Sequence, residues 1–162
     1  MKLHNLLLAP LLCLSLAAQA IEIEGVKFED KAKVGSGAQG VDLALKGAKR
    51  LRIVTLRDLT AEQFADALVE GMQKNHSAAE LEPLKARIDT FRATMLDLKA
   101  APKGATVIID WLPESGTRLT FNGEKRGGDI PGDDFHRALL KVWLGDKPAQ
   151  DDLKDALLGK AQ

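Results

Sequence analysis

The sequence has no tyrosine and one cysteine, and its only aromatic residues are five Phe and two Trp in 162 positions. Without tyrosine, a phenol is excluded as a general acid, a hydrogen-bonding group or a stacking group. An excess of one charge is also missing, because 23 Lys and Arg face 23 Asp and Glu. This balance argues against nucleic acid as the main partner. With 45% hydrophobic and 28% charged residues, the composition predicts one soluble domain with one core.

Long apolar runs are scarce, and the clearest one lies at the start of the chain. Lys2 is followed by a leucine-rich stretch over residues 6–17 and then by small residues at Ala18 and Ala20. This order of basic, apolar and small residues predicts a secretory signal peptide over residues 1–20, removed after Ala20.

Two alternatives for this segment are less favoured. A membrane anchor needs roughly 20 apolar residues, and the run is shorter than that. A lipoprotein signal at Cys13 expects a small residue before it, but Leu12 stands there. The expected mature domain is therefore residues 21–162, periplasmic or secreted, with no transmembrane segment, disulfide or thiolate metal site.

Alternating apolar and polar residues predict the strands. The segments with this pattern are residues 21–28, 51–57, 105–112 and 118–121. In residues 51–57, Leu51, Ile53 and Thr55 fall on one face. Asn122-Gly123 is typical of a tight hairpin turn and leads into a short polar arm over residues 124–126. The glycine-rich run GSGAQG over residues 35–40 is interpreted as a loop.

Two helices are predicted from capping boxes, in which a hydroxyl side chain begins the helix and a Gln or Glu three residues later reaches back. Thr60 and Gln63 begin the first, and Ser77 and Glu80 begin the second, with Pro83 in its early turns. Their apolar stripes are Phe64, Leu68 and Met72 in the first helix, and Leu84, Ile88, Phe91 and Met95 in the second. Such stripes face a core or line an apolar cavity.

Two further helices are predicted near the C-terminus. Asp133 or Asp134 caps the third, Gly145 ends it, and Phe135, Leu139, Val142 and Trp143 form its apolar side. The last helix is capped within residues 150–152 and turns Leu153, Leu157 and Leu158 inward. Since the helices lie between hairpins, the order of elements predicts an α+β fold with an antiparallel sheet covered on one face by a helical layer.

Motifs for common enzyme chemistry are absent: the sequence has no HExxH, CxxC, GxSxG or phosphate-loop pattern. The histidines of the mature chain are His76, at the end of the first helix, and His136, beside Arg137 on what is interpreted as the polar side of the third helix. Both are interpreted as solvated side chains. No catalytic residue, metal site or cofactor is predicted.

Four stretches of the chain resemble the chalcone isomerase-like family, in particular its short exported bacterial branch. They read RLRIVTLRDLTAEQFADAL, NHSAAEL, DWLPESGTRLTFNG and DDFHRALLKVWLGDKPAQDDLKDALLG, within residues 51–159. The resemblance implies an open-faced β-sandwich, in which a long antiparallel sheet and a helical layer hold an apolar ligand between them. The fold read from the residue pattern agrees with that architecture.

The resemblance also implies where a ligand would lie. Plant members cyclise a chalcone to a flavanone, and their tyrosine falls at Phe64, their helix asparagine at Gly71 and a hydroxyl residue at Val142. Each replacement removes a hydrogen-bonding group, and losing a placed proton donor typically lowers a rate by ~10²–10⁴. The expected pocket is therefore lined by Phe64, Leu68, Gly71 and Val142, without catalytic residues, and it takes a fatty acid or another apolar small molecule.

The chain is also one hairpin shorter than the family near its N-terminus, where members carry an arginine for a carboxylate. Two other functions stay open. One is an isomerase of the same class with an altered site, using another acid or an arginine such as Arg57. The other is an exported interaction protein whose uncovered sheet edge recruits a partner strand.

Overall fold

The structure is a computed structural model that describes residues 47–158 in full and the backbone of four short strands before them. These strands are β1 (Ile21–Ile23), β2 (Val26–Phe28), β3 (Gly35–Gly37) and β4 (Gly40–Asp42). β1 pairs antiparallel with β2, as expected for a hairpin arm, and β3 pairs antiparallel with β4. The interpretation of residues 35–40 as a loop was therefore wrong, because most of this run lies in the two strands of a hairpin. The predicted signal peptide lies outside the described residues.

The remaining elements form an antiparallel sheet and a helical layer. The strands are β5 (Lys49–Val54), β6 (Leu59–Thr60), β7 (Ala100–Ala101), β8 (Thr106–Leu112), β9 (Gly116–Phe121) and β10 (Glu124–Ile130). The helices are α1 (Ala61–Lys74), α2 (Ala78–Leu81), α3 (Lys85–Leu96), α4 (Asp133–Leu144) and α5 (Asp151–Leu157), with a 3-10 turn (Glu82–Leu84) before α3. None of the described helices has the length and apolar character needed to cross a membrane.

The main sheet has four strands in the order β10-β9-β8-β5, and β6 pairs separately with β7. The predicted α+β class with an antiparallel sheet is confirmed. Among the described strands, β5 is the last on its side of this sheet.

Strand alternation decides which face of the sheet meets the helices. Val107 and Ile109 of β8 are fully buried in the same core as α1 and α4, and they pair with Ile53 and Leu51 of β5. Residues between them point to the opposite face. The predicted placement of Leu51 and Ile53 on one face of β5 is confirmed, although the strand ends at Val54, before Thr55.

Both predicted capping boxes are present. The backbone N–H of Gln63 donates to Thr60 Oγ1 at 3.2 Å, and the N–H of Thr60 donates to Gln63 Oε1 at 3.1 Å. Ser77 and Glu80 make the same exchange at the start of α2. Pro83 lies in the 3-10 turn, so the predicted second helix is divided into α2 and α3.

The start of α4 differs from prediction, whereas α5 has its N-cap at Gln150, within the predicted residues 150–152. The N-cap residue of α4 is Gly132, not Asp133 or Asp134. Asp134 lies in the first turn, where its Oδ1 accepts from the backbone N–H of Phe135 at 2.9 Å. The guanidinium of Arg87 on α3 also donates to both oxygens of this carboxylate, at 2.6 and 2.7 Å. The hairpin turn is as expected, because Asn122 and Gly123 both have positive φ.

The inward face predicted for the last helix was wrong. Leu153 is 37% exposed and Leu157 is 46% exposed, while Leu158 is half-buried. α5 is held to the end of α4 by Lys154, whose Nζ donates to the carbonyl of Gly145 at 2.7 Å. This contact turns the polar side of α5 toward the domain.

Candidate functional site

The four residues predicted to line a pocket lie together inside the helical layer. Phe64, Leu68 and Gly71 are on α1, Val142 is on α4, and all four are buried. A Cβ added at Gly71 would lie 2.7 Å from Val142 Cγ1, so the two helices touch there without an intervening side chain. These residues fill the region that they are expected to line, and a ligand entering it must displace Val142 from Gly71.

A buried polar cluster, which the sequence reading missed, lies in the layer between α4 and the sheet. It consists of Trp111 on β8, Thr117 on β9 and His136 on α4. The interpretation of His136 as solvated was wrong, because its exposed fraction is only 1%. His136 precedes Leu139 by three residues and Trp143 by seven, which places it on the apolar stripe of the helix. That spacing could have predicted its burial, whereas its neighbour Arg137 suggested the opposite.

Strand register brings the cluster together. Trp111 and Thr117 are directly opposite each other in the antiparallel pairing of β8 and β9, so their side chains share the helix-facing side of the sheet. His136 packs against them from α4. Its Nδ1 is 3.1 Å from Thr117 Oγ1, and its ring centroid is 5.7 Å from that of Trp111 at an interplanar angle of 44°.

One buried donor of the cluster has no hydrogen-bond partner. Trp111 Nε1 is buried and has no partner among the described residues. If Thr117 donates to His136 Nδ1, the ring carries its proton on Nε2, which has no acceptor among the hydrogen bonds of residues 47–158. If Nδ1–H donates to Thr117 Oγ1 instead, Nε2 is left as an acceptor. With either tautomer, the buried indole N–H of Trp111 lacks the acceptor that such a group normally has.

Burial keeps the histidine uncharged. Loss of solvation in this layer lowers the pKa of His136 to about 4, so the ring is neutral near pH 7. The cluster therefore offers dipoles and hydrogen-bond donors without a charge of its own.

Charged side chains occupy the opposite face of the sheet. Arg50 donates to both carboxylate oxygens of Asp110 at 2.7 Å, and Arg118 does the same to Asp129 at 3.0 and 2.9 Å. The hydrogen bonds from Arg118 hold the pKa of Asp129 well below its usual range, and Lys125 adds to the effect. Because alternate residues of a strand point to opposite faces, these pairs are separated from the cluster by the sheet.

A groove on the outer side of the helices is a second concave feature. Its volume is about 470 Å³, and it lies between the end of α1 and the segment formed by α2, the 3-10 turn and α3. The lining residues share an apolar floor and a polar rim: Val69, Met72, Gln73, His76, Ala78, Leu81, Glu82, Lys85, Ile88 and Asp89. None of the four predicted pocket residues belongs to this set.

His76 lies on the rim of that groove, just beyond the end of α1. It is half-buried, and its Nδ1 is 2.8 Å from the carbonyl oxygen of Met72. Within the part of the chain that the structure describes, no three His, Cys, Asp or Glu side chains are grouped so that they could hold a metal ion.

Comparison with known proteins identifies a matching family and a similar fold. The sequence model of the family described as chalcone isomerase-like matches residues 38–159. A solved fatty-acid binding protein of Arabidopsis thaliana has a similar structure, with a TM-score of 0.52 and 15% sequence identity. The match covers 67% of this chain and 54% of that one, so this chain spans about half the length of that protein. No curated protein matches the sequence.

Proposed function

The chain belongs to the chalcone isomerase-like family, and we propose that it is an exported, non-catalytic member that binds a fatty acid or another apolar small molecule between its sheet and its helices. The signal sequence over residues 1–20 is the basis for export. The expected pocket residues Phe64, Leu68, Gly71 and Val142 supply the apolar part of the site.

The observation that carries this proposal is the buried indole N–H of Trp111, which has no partner among the described residues although it lies beside Thr117 and His136. Ligand sites in proteins are mostly apolar, with a few polar groups that fix the orientation of the ligand. Here the helical layer is apolar, and the indole N–H of Trp111 at its sheet side donates to no described residue. An oxygen on an otherwise apolar molecule would accept from it.

The replacements at the family's polar positions support a binding role over an isomerase. The positions that match the tyrosine, asparagine and hydroxyl of plant members are Phe64, Gly71 and Val142, and all three are buried among apolar side chains. None of them donates or accepts a side-chain proton. The Arabidopsis protein is a fatty-acid binding protein of similar fold, which favours the same class of ligand.

The outer groove is the alternative location to be tested for the same ligand. Its volume of about 470 Å³ is within the range of roughly 300–1,000 Å³ common for small-molecule sites. Ala78 is exposed and lines the groove, whereas its neighbour Ala79 is exposed and does not. Ala78→Trp should fill the groove, and Ala79→Trp is the matched control. We expect both variants to keep the affinity of the wild type for its ligand, and loss of binding in Ala78→Trp alone would move the site to the groove.

Mass spectrometry of the full-length chain, expressed in a cell that exports it, tests the proposal. We expect the intact mass of a chain that begins at Ile21. We also expect a solvent extract that contains about one apolar molecule per protein chain. A retained leader would contradict export. A protein that contains no such molecule, binds no added dodecanoate or methyl dodecanoate, and associates as its concentration rises would support the interaction protein instead.

An enzyme assay tests the non-catalytic part. Incubation with 2′-hydroxychalcone should yield flavanone at the uncatalysed rate. A clear increase of this rate by the wild-type protein would favour an isomerase with an altered site over a binding protein. In that case the increase should be lost on substitution of Arg57 and kept in a matched Arg52 variant.

A further inference from the structure

One end of the main sheet carries the most exposed large apolar side chain of the described residues. Leu56, just beyond β5, is 83% exposed, and Val54 at the end of that strand is 40% exposed. Leu153 and Leu157 of α5 are the other large apolar side chains that are exposed within residues 47–158. A single exposed leucine is ordinary, so the groups around Leu56 decide whether this end of the sheet is a contact surface.

The loop after β5 is held against the loop before β8. The N–H of Thr55 donates to the carbonyl of Ala105 at 3.1 Å, and the N–H of Lys103 donates to Asp58 Oδ1 at 2.8 Å. The short strands β6 and β7, which follow and precede these loops, pair with each other. These contacts join the loops into one surface on a fixed backbone, which we call the sheet tip: residues 52–58 and 97–104.

Four cations of the sheet tip are exposed, and none of them forms an ion pair with another described residue. They are Arg52, Arg57, Lys99 and Lys103. Arg52 shares its face of β5 with Val54, because alternate residues of a strand point the same way. Apolar and basic side chains are therefore presented together.

Anions are fewer at the sheet tip. Its acidic residues are Asp58 and Asp97, so four cations and two anions give it a net charge of +2. Cations remain in excess when Glu62, in the first turn of α1, is included. The hairpin between β9 and β10 adds no unpaired cation, because Lys125 and Arg126 pair with Asp129 and Glu124. Since the whole chain has no net charge, the positive excess is a local feature.

We propose that the sheet tip docks on an anionic phospholipid bilayer, with Leu56 among the upper acyl chains and the four cations at the lipid phosphates. Guanidinium and ammonium groups donate to phosphate oxygens, and basic side chains are long enough to stay at the headgroups while a neighbouring apolar group goes deeper. A bilayer is favoured over an acidic protein because fluid acyl chains accept one isolated leucine without a pocket of matching shape.

The contact should be reversible and sensitive to salt. Each basic residue close to an anionic membrane raises the affinity about fivefold, and this effect fades within a Debye length. The inference goes beyond the proposed function and does not depend on it, because the sheet tip shares no residue with the expected pocket. Either property can therefore fail without the other.

Cosedimentation with vesicles tests the inference, with the full-length chain expressed in a cell that exports it. One set of vesicles contains equal parts of phosphatidylglycerol and phosphatidylethanolamine, and the other contains phosphatidylcholine alone. We expect the protein to bind the anionic vesicles in about 50 mM NaCl and to bind them about tenfold more weakly in about 500 mM NaCl. Binding to phosphatidylcholine should be weak at both salt concentrations.

Paired charge variants locate the surface. Arg57→Gln combined with Lys103→Gln should lower the affinity for anionic vesicles about 25-fold, at about fivefold for each charge. Lys74→Gln combined with Lys147→Gln is the matched control, because both side chains are exposed, form no ion pair with a described residue and lie at the far end of α1. That end is roughly 20 Å from the sheet tip, the length of the helix. The control should bind nearly as well as the wild type.

The apolar part has its own readouts. Leu56→Ser should lower the affinity by about threefold to tenfold, and Leu157→Ser on α5 should leave it unchanged. Cys13 is the only cysteine and lies in the expected leader, so an exported Leu56→Cys chain takes one label. A polarity-sensitive dye there should shift its emission to shorter wavelength on anionic vesicles, whereas the same dye in Leu157→Cys should not.

Three outcomes would overturn the inference. Absence of binding to anionic vesicles at low salt would remove the membrane as the partner and favour an acidic protein. Equal binding to phosphatidylcholine, unaffected by salt, would show adsorption without any contribution from the cations. Equal affinities of the tip variants and their controls would place the contact elsewhere, in a retained leader if the intact mass begins at Met1. A protein that binds vesicles but no apolar molecule would support this inference and contradict the proposed function.

Discussion

His136 Nδ1 and Thr117 Oγ1 lie 3.1 Å apart in a layer where each residue is only 1% exposed. The contact joins α4 to β9 through two polar groups in apolar surroundings. A buried polar pair of this kind stabilises the fold only while both partners are present and the imidazole stays neutral.

Acid should weaken the fold through His136. The pKa of the ring is about 4 in the folded protein and roughly 6.5 in the unfolded chain, so between these values the unfolded state binds more protons. The stability contributed by the neutral ring is complete above pH 6.5 and is lost as the pH falls toward 4. The expected loss in the free energy of unfolding is about 3 kcal/mol, measured by urea denaturation at several pH values.

His136→Leu is the comparison for that experiment. Protonation of carboxylates such as Asp129, whose pKa is lowered by Arg118, also destabilises the fold in acid. The quantity to compare is therefore the difference in the free energy of unfolding between wild type and variant at each pH. The variant should lack the part of the slope between pH 6.5 and 4. Parallel pH profiles for the two proteins would show that His136 is solvated after all.

Thr117→Val tests the hydrogen bond without changing the shape of the side chain. It leaves a His136 ring nitrogen unsatisfied in a buried site, which should lower the free energy of unfolding by about 1–3 kcal/mol. Thr120→Val, on the same strand and opposite face, is the control because Thr120 is partly exposed. Its effect should stay within about 0.5 kcal/mol. Equal effects of the two substitutions would count against a special role for Thr117.

Local signals predicted most of the fold. The capping boxes at Thr60 and Ser77 specify helix starts through contacts within four residues, and strand alternation specifies which side of β5 and β8 is buried. Such signals depend only on neighbours in sequence. The start of α4 was predicted less well, because its N-cap residue is Gly132, and the pairing of Asp134 with Arg87, 47 residues away, has no local signal.

The polar cluster could not be assembled from sequence in the same way. The burial of His136 follows from its spacing to Leu139, but its partners come from β8 and β9, and the register that places Trp111 opposite Thr117 is a property of the folded sheet. The exposure of Leu153 on α5 was missed for a similar reason. Helical phase shows that a residue belongs to an apolar stripe, and only tertiary packing decides whether the stripe is covered.

The Arg50 and Asp110 pair should be more important to stability than any exposed pair of the chain's helices. The carboxylate of Asp110 is 5% exposed and receives two hydrogen bonds from Arg50 at 2.7 Å. Arg50→Met leaves that charge without its main partner and should reduce the free energy of unfolding by about 3–5 kcal/mol. The double variant with Asp110→Leu should recover part of the loss, as measured by urea denaturation.

Lys85 and Asp89 provide the matched control. They form an ion pair at 3.0 Å on the surface of α3, with side chains more than 60% exposed. Lys85→Met should leave the free energy of unfolding nearly unchanged, because water and salt screen exposed pairs. A loss for Arg50→Met no larger than this would indicate that water reaches Asp110.

The contact of Gly71 with Val142 sets the separation of α1 and α4. In Gly71→Ala the new methyl group would lie 2.7 Å from Val142 Cγ1 and 3.1 Å from Cγ2. Overpacking of this kind costs about 1–3 kcal/mol, while the better helix propensity of alanine returns at most about 1 kcal/mol. The variant should therefore be less stable than the wild type in urea denaturation.

The sign of this effect should reverse when Val142 is shortened. Val142→Ala removes both γ carbons, which leaves only Cβ at 3.3 Å from the new methyl group, so Gly71→Ala in that background should be neutral or stabilising. Gly128→Ala, where an added Cβ meets nothing within 4 Å, should have little effect in either background. If Gly71→Ala stabilises the wild type, α1 and α4 already stand apart in solution. In that case, Phe64, Leu68, Gly71 and Val142 would line an open cavity rather than a closed contact.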